Sequence, residues 1–425
     1  MKKPDWMFQL ACVAMVCVSL IASDDVIAQS VGDRVVATAN VYTKILNKQV
    51  GKVFGGEIDT VTDINGKWCA LSRTKGWLPM QYVMTLDSGE KYYSERIKKN
   101  RNDFDAWAIR GMIRFENDRL RDALEDLNQS IVLRKTNPVT FNNRGIILHA
   151  MGRNQEALTN VDQAIKLNPN YADAHENRGL FLVSLGQYPE AMKSFDQAIK
   201  LRKGNPYAYI NRGTARSNAG DYKGAKADFL QALSMERDLS DAYVGLSIVY
   251  LAEENLDKAS KFAAEALKKN ARSGLAFNLR GWVNNKLGRI DDAIFDFNQA
   301  IRYNPRLSIA YSNRGICHTE KGDYLQALKD LNRAIRLNPN SAVAYTNRGA
   351  AYMASGKYQQ AVADLQKAVK MAPGLSDASN ALAWFLATCP EEQLRNGADA
   401  RKHAEKACEL AQWNEWSYLD TLAAA

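Results

Sequence analysis

Residues 342–375 read AVAYTNRGAAYMASGKYQQAVADLQKAVKMAPGL, and residues 308–341 before them read SIAYSNRGICHTEKGDYLQALKDLNRAIRLNPNS. The two stretches align along their whole length without a gap, and the same frame continues upstream to Phe104. Eight consecutive units therefore fill residues 104–375, and position 20 is alanine in every unit. Repetition with a period of roughly 20 to 50 residues indicates an array of stacked units rather than separate globular domains.

Each unit contains two runs of apolar residues at helical spacing, separated by a short turn near position 15. This pattern predicts two helices per unit, A and then B. Small residues recur at positions 8, 20 and 27, where they let the two backbones approach closely. One helix pair cannot bury its apolar faces alone, but stacked pairs can. We therefore expect a mainly α fold built as a solenoid of helix pairs.

The pattern resembles the tetratricopeptide repeat, because position 8 is glycine and position 4 is aromatic in seven of the eight units. The resemblance implies a right-handed α-solenoid whose A helices line a concave groove for extended peptides. Residues 89–103 are predicted to form a joining helix, a degenerate half repeat. Residues 376–412 are predicted to form a degenerate ninth unit with an inserted loop, and residues 413–425 an incomplete terminal helix. Since no helix follows this last one, self-association through it is possible.

Positions 7 and 23 vary together within the chain. Position 7 is arginine in seven units, and position 23 is aspartate in five of those seven. The unit with Leu246 at position 7 carries Phe262 at position 23, so a charged pair is exchanged for an apolar pair. This exchange predicts structural bridges between helices A and B. The predicted pairs are Arg110–Asp126, Arg212–Asp228, Arg280–Asp296, Arg314–Asp330 and Arg348–Asp364.

Position 6 of helix A, which the resemblance places in the groove, is asparagine in five units: Asn143, Asn177, Asn211, Asn313 and Asn347. A carboxamide both donates and accepts, so such a row can hydrogen-bond successive peptide groups. It resembles the asparagine ladder of the tetratricopeptide region of O-linked N-acetylglucosamine transferases. The alternative is that Asn-Arg-Gly belongs to the folding consensus of the units. The apolar floor of the groove is predicted to include Met112, Phe115 and Trp282.

Residues 31–86 have a different pattern, in which short alternating runs are separated by glycine and asparagine turns. This predicts a small all-β antiparallel barrel before the solenoid. Its closing segment resembles the last strand of Src-homology-3-like (SH3-like) domains, which makes Trp68, Pro79 and Tyr82 candidate groove residues. Such a groove would bind a peptide or cell-wall material. The alternative is a barrel that only covers the first helices.

The chain begins with a leader-like pattern. Lys2 and Lys3 precede an apolar stretch over residues 7–22, and Val26-Ile27-Ala28 fits a signal-peptidase site. Residues 1–28 are therefore predicted to be a signal peptide, with an uncleaved anchor as the alternative. The protein is expected to be exported, either periplasmic or secreted, with no integral membrane segment after cleavage.

The cysteines left after such a cleavage lack the short paired spacing of a zinc site. Cys389 and Cys408 lie in adjacent predicted helices and could form a disulfide, and the alternative is that both are buried thiols.

Composition excludes several classes of protein. At 46% hydrophobic and 24% charged residues, the chain is too apolar for a disordered protein. Its net charge of +9 comes from 56 basic residues interspersed with 47 acidic ones, which is typical of a solvated surface. Without a basic-aromatic module, nucleic-acid binding is not expected. The four histidines lie at unrelated positions and no catalytic motif is present, so no enzyme activity, cofactor or metal site is expected.

The sequence predicts an exported protein–protein interaction scaffold. It would hold an extended polypeptide segment in the concave groove and use the SH3-like domain as a second docking module. Two alternatives remain open: an envelope structural protein that binds cell-wall glycan through the SH3-like domain, and an accessory subunit of an exported enzyme.

Overall fold

The computed structural model describes the backbone of seven strands between Arg34 and Thr85. From Thr85 onwards it describes both backbone and side chains, apart from residue 414 and the side chain at position 416. The predicted signal peptide and the side chains of Trp68, Pro79 and Tyr82 lie outside the described residues.

The strands are short and pair with antiparallel neighbours in the order β3-β2-β6-β5-β4-β1-β7. In this sheet Val35 lies opposite both Asp59 and Thr85. The strands fall on the alternating runs of the sequence, but their likeness to an SH3-like domain stays a prediction. Their bounds are β1 (Arg34–Ala37), β2 (Val41–Ile45), β3 (Lys48–Val53), β4 (Ile58–Asn65), β5 (Trp68–Leu71), β6 (Trp77–Pro79) and β7 (Val83–Thr85).

Helices make up the rest of the described chain. The nine A helices share one length and begin at the first position of consecutive units, and each of the nine B helices is one residue longer. The mainly α solenoid of helix pairs predicted from the repeat is thereby confirmed. The A helices are α2 (Phe104–Glu116), α4 (Pro138–Ala150), α6 (Ala172–Ser184), α8 (Pro206–Asn218), α10 (Ser240–Ala252), α12 (Gly274–Lys286), α14 (Ser308–Glu320), α16 (Ala342–Ala354) and α18 (Ser376–Thr388). The B helices are α3 (Leu120–Leu133), α5 (Asn154–Leu167), α7 (Tyr188–Leu201), α9 (Tyr222–Met235), α11 (Leu256–Lys269), α13 (Ile290–Tyr303), α15 (Tyr324–Leu337), α17 (Tyr358–Met371) and α19 (Gly397–Leu410).

The chain divides into two compact units, one up to Gln231 and one from Ala232. Within each unit, A helices pack on their own B helices, as α12 does on α13, and on neighbouring A helices, as α14 does on α16. Small residues make this packing possible. A Cβ at Gly179 would lie 2.5 Å from the ring of Phe195, so glycine at position 8 leaves the space that a large position-24 side chain fills.

The turn between helices A and B requires a left-handed backbone at position 15. Six units place glycine there, with φ between 72° and 82°. Asp118 and Glu254 adopt the same conformation, with φ of 62° and 58°, in the two units that lack the glycine. Side chains with a Cβ tolerate this region poorly, so these two turns are strained relative to the others.

The two ends of the array differ from the predicted boundaries. The joining helix α1 (Leu86–Lys99) begins earlier than residue 89, because Thr85 caps it by accepting a hydrogen bond from the Ser88 amide at 3.3 Å. In the ninth pair, a short 3-10 turn (Glu392–Leu394) lies where an inserted loop was predicted.

The final helix α20 (Trp416–Ala424) packs on both α18 and α19. Tyr418 is buried there, and its hydroxyl donates to the side chains of Ser376 and Asp377. Leu419 and Leu422 pack against the buried cluster of Ala407, Cys408 and Tyr418. Helix α20 therefore covers an apolar surface of the ninth pair, and self-association through it stays a prediction.

Candidate functional site on the A helices

The five predicted Arg–Asp pairs are all present as two-pronged contacts. In each pair, arginine Nε and Nη2 donate to the two carboxylate oxygens at 2.5 to 3.0 Å. All five aspartates are buried. The guanidinium also lies over the aromatic ring three residues earlier, for example Arg110 over Trp107 at 4.8 Å from the centroid. Paired in this way, these charges hold helix A to helix B and are not free to bind a ligand.

The arginines also reach the preceding unit, which the sequence analysis missed. The Nη1 atoms of Arg212, Arg314 and Arg348 donate to Asp196, Asn298 and Asn332 at 2.5 to 2.6 Å. These acceptors occupy position 25 of the previous B helix, and the signal for them was the presence of asparagine or aspartate at that position in five units. Where position 23 is not aspartate, Arg144 donates to Asn160 and Arg178 to Ser194.

The position-6 asparagines form bonds between consecutive A helices. Each of four donates its Nδ2 hydrogen to position 5 of the preceding unit at 2.9 to 3.1 Å. The donor–acceptor pairs are Asn177–Asn142, Asn211–Glu176, Asn313–Asn278 and Asn347–Ser312. One Nδ2 hydrogen of each of these four amides is therefore used within the fold, while the ladder bonds leave the second hydrogen and Oδ1 unused.

Position 5 was overlooked, although the sequence contains a signal for it. The unit before each of these four asparagines has a polar residue at position 5, whereas Val244 precedes Leu279. In the structure Val244 and Leu279 pack in one apolar cluster. For Asn143 the preceding position is Ala108, and Asn143 Oδ1 is enclosed without a hydrogen-bond partner among the described residues.

The predicted groove residues differ in how much of their surface is exposed. Met112 and Phe115 belong to the core, with 6% and 1% of their surface exposed, so they do not line an open face in this structure. A large apolar side chain gains about 1.5 to 3 kcal/mol from full burial, which favours this placement. Asn143, Asn177 and Asn313 are also buried. Trp282 is partly exposed, and Lys286 Nζ lies 5.2 Å from its ring centroid.

In the second compact unit the A helices carry exposed apolar side chains, which we call the apolar stripe. Leu275, Ile309 and Val343 occupy position 2 of α12, α14 and α16 and are 46%, 51% and 50% exposed. Trp384, at position 9 of α18, is 40% exposed. Positions 2, 6 and 9 lie on one face of a helix, so the asparagine Oδ1 atoms adjoin this stripe.

In the first compact unit, Glu176 on α6 has an unusual environment. Its Oε2 accepts from Asn205 Nδ2 at 2.8 Å and its Oε1 from Asn211 Nδ2 at 2.9 Å. The side chain as a whole is partly exposed, but its carboxyl group is enclosed. Desolvation raises the pKa of Glu176 to about 7, although the two amide hydrogen bonds act in the opposite direction.

Comparison with known proteins identifies the repeat. Models of the tetratricopeptide repeat match residues 142–206, 218–283, 278–342 and 314–407, which together make up more than half of the chain. The chain belongs to the tetratricopeptide repeat family. The matched ranges lie within the helical array and do not extend to the strands. No curated protein matches the chain.

Solved tetratricopeptide-type structures share the fold at low sequence identity. The APC/C hetero-tetramer Cut9-Hcn1 has a TM-score of 0.56 at 16% identity, covering 80% of this chain and 66% of that one. A human IFIT1 dimer with m7Gppp-AAAA has a TM-score of 0.55 at 17% identity, covering 80% and 84%. A tetratricopeptide repeat protein from Parabacteroides merdae has a TM-score of 0.50 at 19% identity, covering 61% and 99%. These likenesses concern the fold alone.

Other candidate groups in the tetratricopeptide array are dispersed. Cys317, Cys389 and Cys408 are free and buried, so the Cys389–Cys408 disulfide does not form in this structure. Burial lowers the pKa of His149, which is hydrogen-bonded to Asn154, and that of His318. Among the described residues no group of three histidine, cysteine or acidic side chains is placed to hold a metal ion. The described helices include none with the length and apolar character needed to span a membrane.

Proposed function

We propose that this tetratricopeptide protein is an exported interaction scaffold that holds an extended, partly apolar polypeptide segment against its A helices. The observation that carries the proposal is the apolar stripe of Leu275, Ile309 and Val343. Three aliphatic side chains at the same position of successive helices are about half exposed, so burial in the core does not explain them. Contiguous exposed apolar surface is typical of sites that bind another protein.

The spacing of the stripe defines the expected ligand. Packed helices lie about 8 to 10 Å apart, and an extended chain advances about 3.3 Å per residue. A segment that crosses the helices would therefore present an apolar side chain at about every third residue. The Oδ1 atom of Asn347, which is partly exposed, would accept a hydrogen bond from a backbone amide of that segment. Since one Nδ2 hydrogen of Asn347 is engaged with Ser312, this amide would contribute Oδ1 and its second Nδ2 hydrogen.

Two further parts of the proposal rest on the sequence. Export is supported by the basic, apolar and small-residue pattern over residues 1–28. A second docking role for residues 31–86 is supported by their likeness to SH3-like domains at Trp68, Pro79 and Tyr82. Enzyme activity is not part of the proposal, because the sequence carries no recognisable catalytic motif.

The test is selection from a random-sequence peptide display library on the full chain. We expect the wild type to select peptides with apolar residues at a spacing of about three. The variant with Leu275→Asp and Ile309→Asp should lose this selection. The matched control carries Phe295→Asp and Leu325→Asp, which add the same charge at exposed side chains of the B helices α13 and α15. The control should select the same peptides as the wild type.

Two outcomes would refute the groove as the binding face. One is an equal loss of selection in both double variants, which would indicate a general effect of the added charge. The other is unchanged selection in the Leu275/Ile309 variant. Far-UV circular dichroism of each variant establishes that the helices are intact before selection begins.

A further inference from the structure

Glu176 accepts its hydrogen bond in the asparagine ladder through a carboxyl group, whereas the other acceptors of the ladder are neutral groups. Position 5 accepts from the next unit through Asn142, Asn278 and Ser312 in the other three bonds of the ladder. Only in the unit of α6, among these four, is the acceptor a carboxyl group. The helix-to-helix bond therefore does not require the negative charge of Glu176, and the charge needs another explanation.

No described side chain compensates this charge. Asp173, one turn earlier on α6, is paired with Arg202, and Arg178 on the same helix is paired with Asp162. On the neighbouring helix α4, burial lowers the pKa of His149, which favours its neutral form. Among the described residues no cationic group forms an ion pair with Glu176, whose own pKa is raised by desolvation. An enclosed ionisable group without a counter-charge is a common mark of a functional site.

A second observation lies one helix earlier. Asn142 and Asn143 on α4 are 0% and 1% exposed, yet Asn142 Nδ2 and Asn143 Oδ1 have no hydrogen-bond partner among the described residues. Leaving a buried polar atom unpaired costs about 1 to 3 kcal/mol. Asn142 belongs to the same ladder as Glu176, because its Oδ1 accepts from Asn177, the residue after Glu176. Two adjacent helices thus hold a charge, a donor and an acceptor that no described residue pairs.

We propose that Glu176 binds a lysine or arginine side chain of a polypeptide segment that lies on the A helices of the first compact unit. The inference rests on the proposed function and specifies the chemistry of the partner. Each carboxylate oxygen accepts one amide hydrogen, from Asn205 or Asn211, and retains a further lone pair for an ammonium or guanidinium group. A charge-assisted bond of this kind is roughly twice as strong as a neutral one.

The same peptide library tests this assignment on the full chain. Glu176→Gln removes the charge with little change of shape. Glu320→Gln is the matched control, since Glu320 is an exposed residue at the end of another A helix, α14, and also accepts an asparagine amide, from Asn285. Both substitutions change the net charge equally. Wild type and control should select a set of peptides with a lysine or arginine at one fixed position, whereas Glu176→Gln should lose this basic set and still select the apolar set.

The outcomes separate the two proposals. Apolar peptides without a basic residue from the wild type would overturn the role of Glu176 and leave the scaffold function standing. Equal enrichment of basic residues in Glu176→Gln would do the same. Failure of the wild type to select any consensus would overturn both.

The pH dependence of peptide affinity provides a second measurement, because loss of folding alone would not abolish only this dependence. A labelled synthetic copy of the most enriched peptide of the basic set is titrated by fluorescence anisotropy at pH 8 and pH 6. With a free-protein pKa near 7, the ionised fraction falls about tenfold between these values, so affinity for wild type should fall about tenfold. Binding to Glu176→Gln should not change with pH. An affinity of the wild type that is independent of pH would contradict the assignment.

Discussion

The fifth unit, which we call the apolar unit, has Leu246 and Phe262 in place of an Arg–Asp pair. Replacing Arg314 and Asp330 with leucine and phenylalanine is therefore the most direct test of how the helix pairs are held together. Asp330 has only 4% of its side chain exposed, and it accepts from Arg314 Nε and Nη2 at 2.7 and 2.6 Å. His318, a second group near it that can carry a positive charge, lies 4.0 Å away, and burial lowers the pKa of that histidine. Arg314→Leu would therefore leave a buried carboxylate without an effective counter-charge.

We expect Arg314→Leu to destabilise this helix pair by about 3 to 5 kcal/mol. Asp330→Phe alone should cost less, about 2 kcal/mol, because Arg314 keeps its bond to Asn298 and some contact with solvent. The double variant reproduces Leu246 and Phe262, and it should lie within about 1 kcal/mol of the wild type. In the natural apolar unit, Phe262 stacks on Tyr250 with the ring centroids 5.3 Å apart.

Hydrogen exchange of the backbone amides in α14 and α15 is the appropriate assay, because a repeat array need not unfold in a single step. The local free energies of opening give a double-mutant cycle for the pair. A cost below about 1 kcal/mol for Arg314→Leu would refute the view that the buried charge depends on its partner. A double variant as unstable as Arg314→Leu would show that the exchange seen at Leu246 and Phe262 does not transfer between units.

Three further results are expected. Gly179→Ala should destabilise its helix pair by about 1 to 3 kcal/mol, because the new Cβ would lie 2.5 Å from the Phe195 ring; protection equal to wild type in hydrogen exchange would contradict this. Glu254→Gly should stabilise its turn by about 1 kcal/mol and Gly288→Ala should destabilise the equivalent turn by a similar amount, as measured by thermal unfolding of both variants. The folded-state pKa of Glu176 lies above its usual value of 4.5, so the free energy of unfolding should fall by about 2 to 3 kcal/mol as the pH rises from about 4.5 to 7. Denaturant titrations should show no such fall for Glu176→Gln.

Comparison of the units within this chain predicted contacts between positions of the same unit whose residues change together. The Leu246 and Phe262 exchange was enough to predict the Arg–Asp pairs, since a charged residue and its partner must be replaced together in a buried site. The same reasoning would have found the bond from Asn313 to Asn278, because position 5 and the following position 6 also change together. That relation crosses from one unit to the next, so a comparison of positions within single units does not reveal it.

Burial could not be predicted residue by residue. The pattern placed Met112 and Phe115 on the groove face from their positions in the frame, but exposure depends on what packs against each helix, and these two side chains belong to the core. The environment of Glu176 was equally hidden, because it depends on two amides that lie 29 and 35 residues further along the chain. Only the folded arrangement brings these amides to the carboxyl group.

For the proposed binding of a polypeptide, the structure favours position 2 over the asparagine row as the source of specificity. Positions 5 and 6 form four hydrogen bonds between consecutive A helices, so stacking constrains the residues at those places, although position 5 varies along the array. Position 2 has no such constraint: it is Asp173 in the third unit and Ile309 in the seventh, and Ile309 projects a half-exposed side chain. If ligand choice lay in the row, changing Ile309 and Leu275 would leave the selected peptides unchanged. If it lies at position 2, the asparagines set the distance between helices, and the variable side chains beside them determine which segment binds.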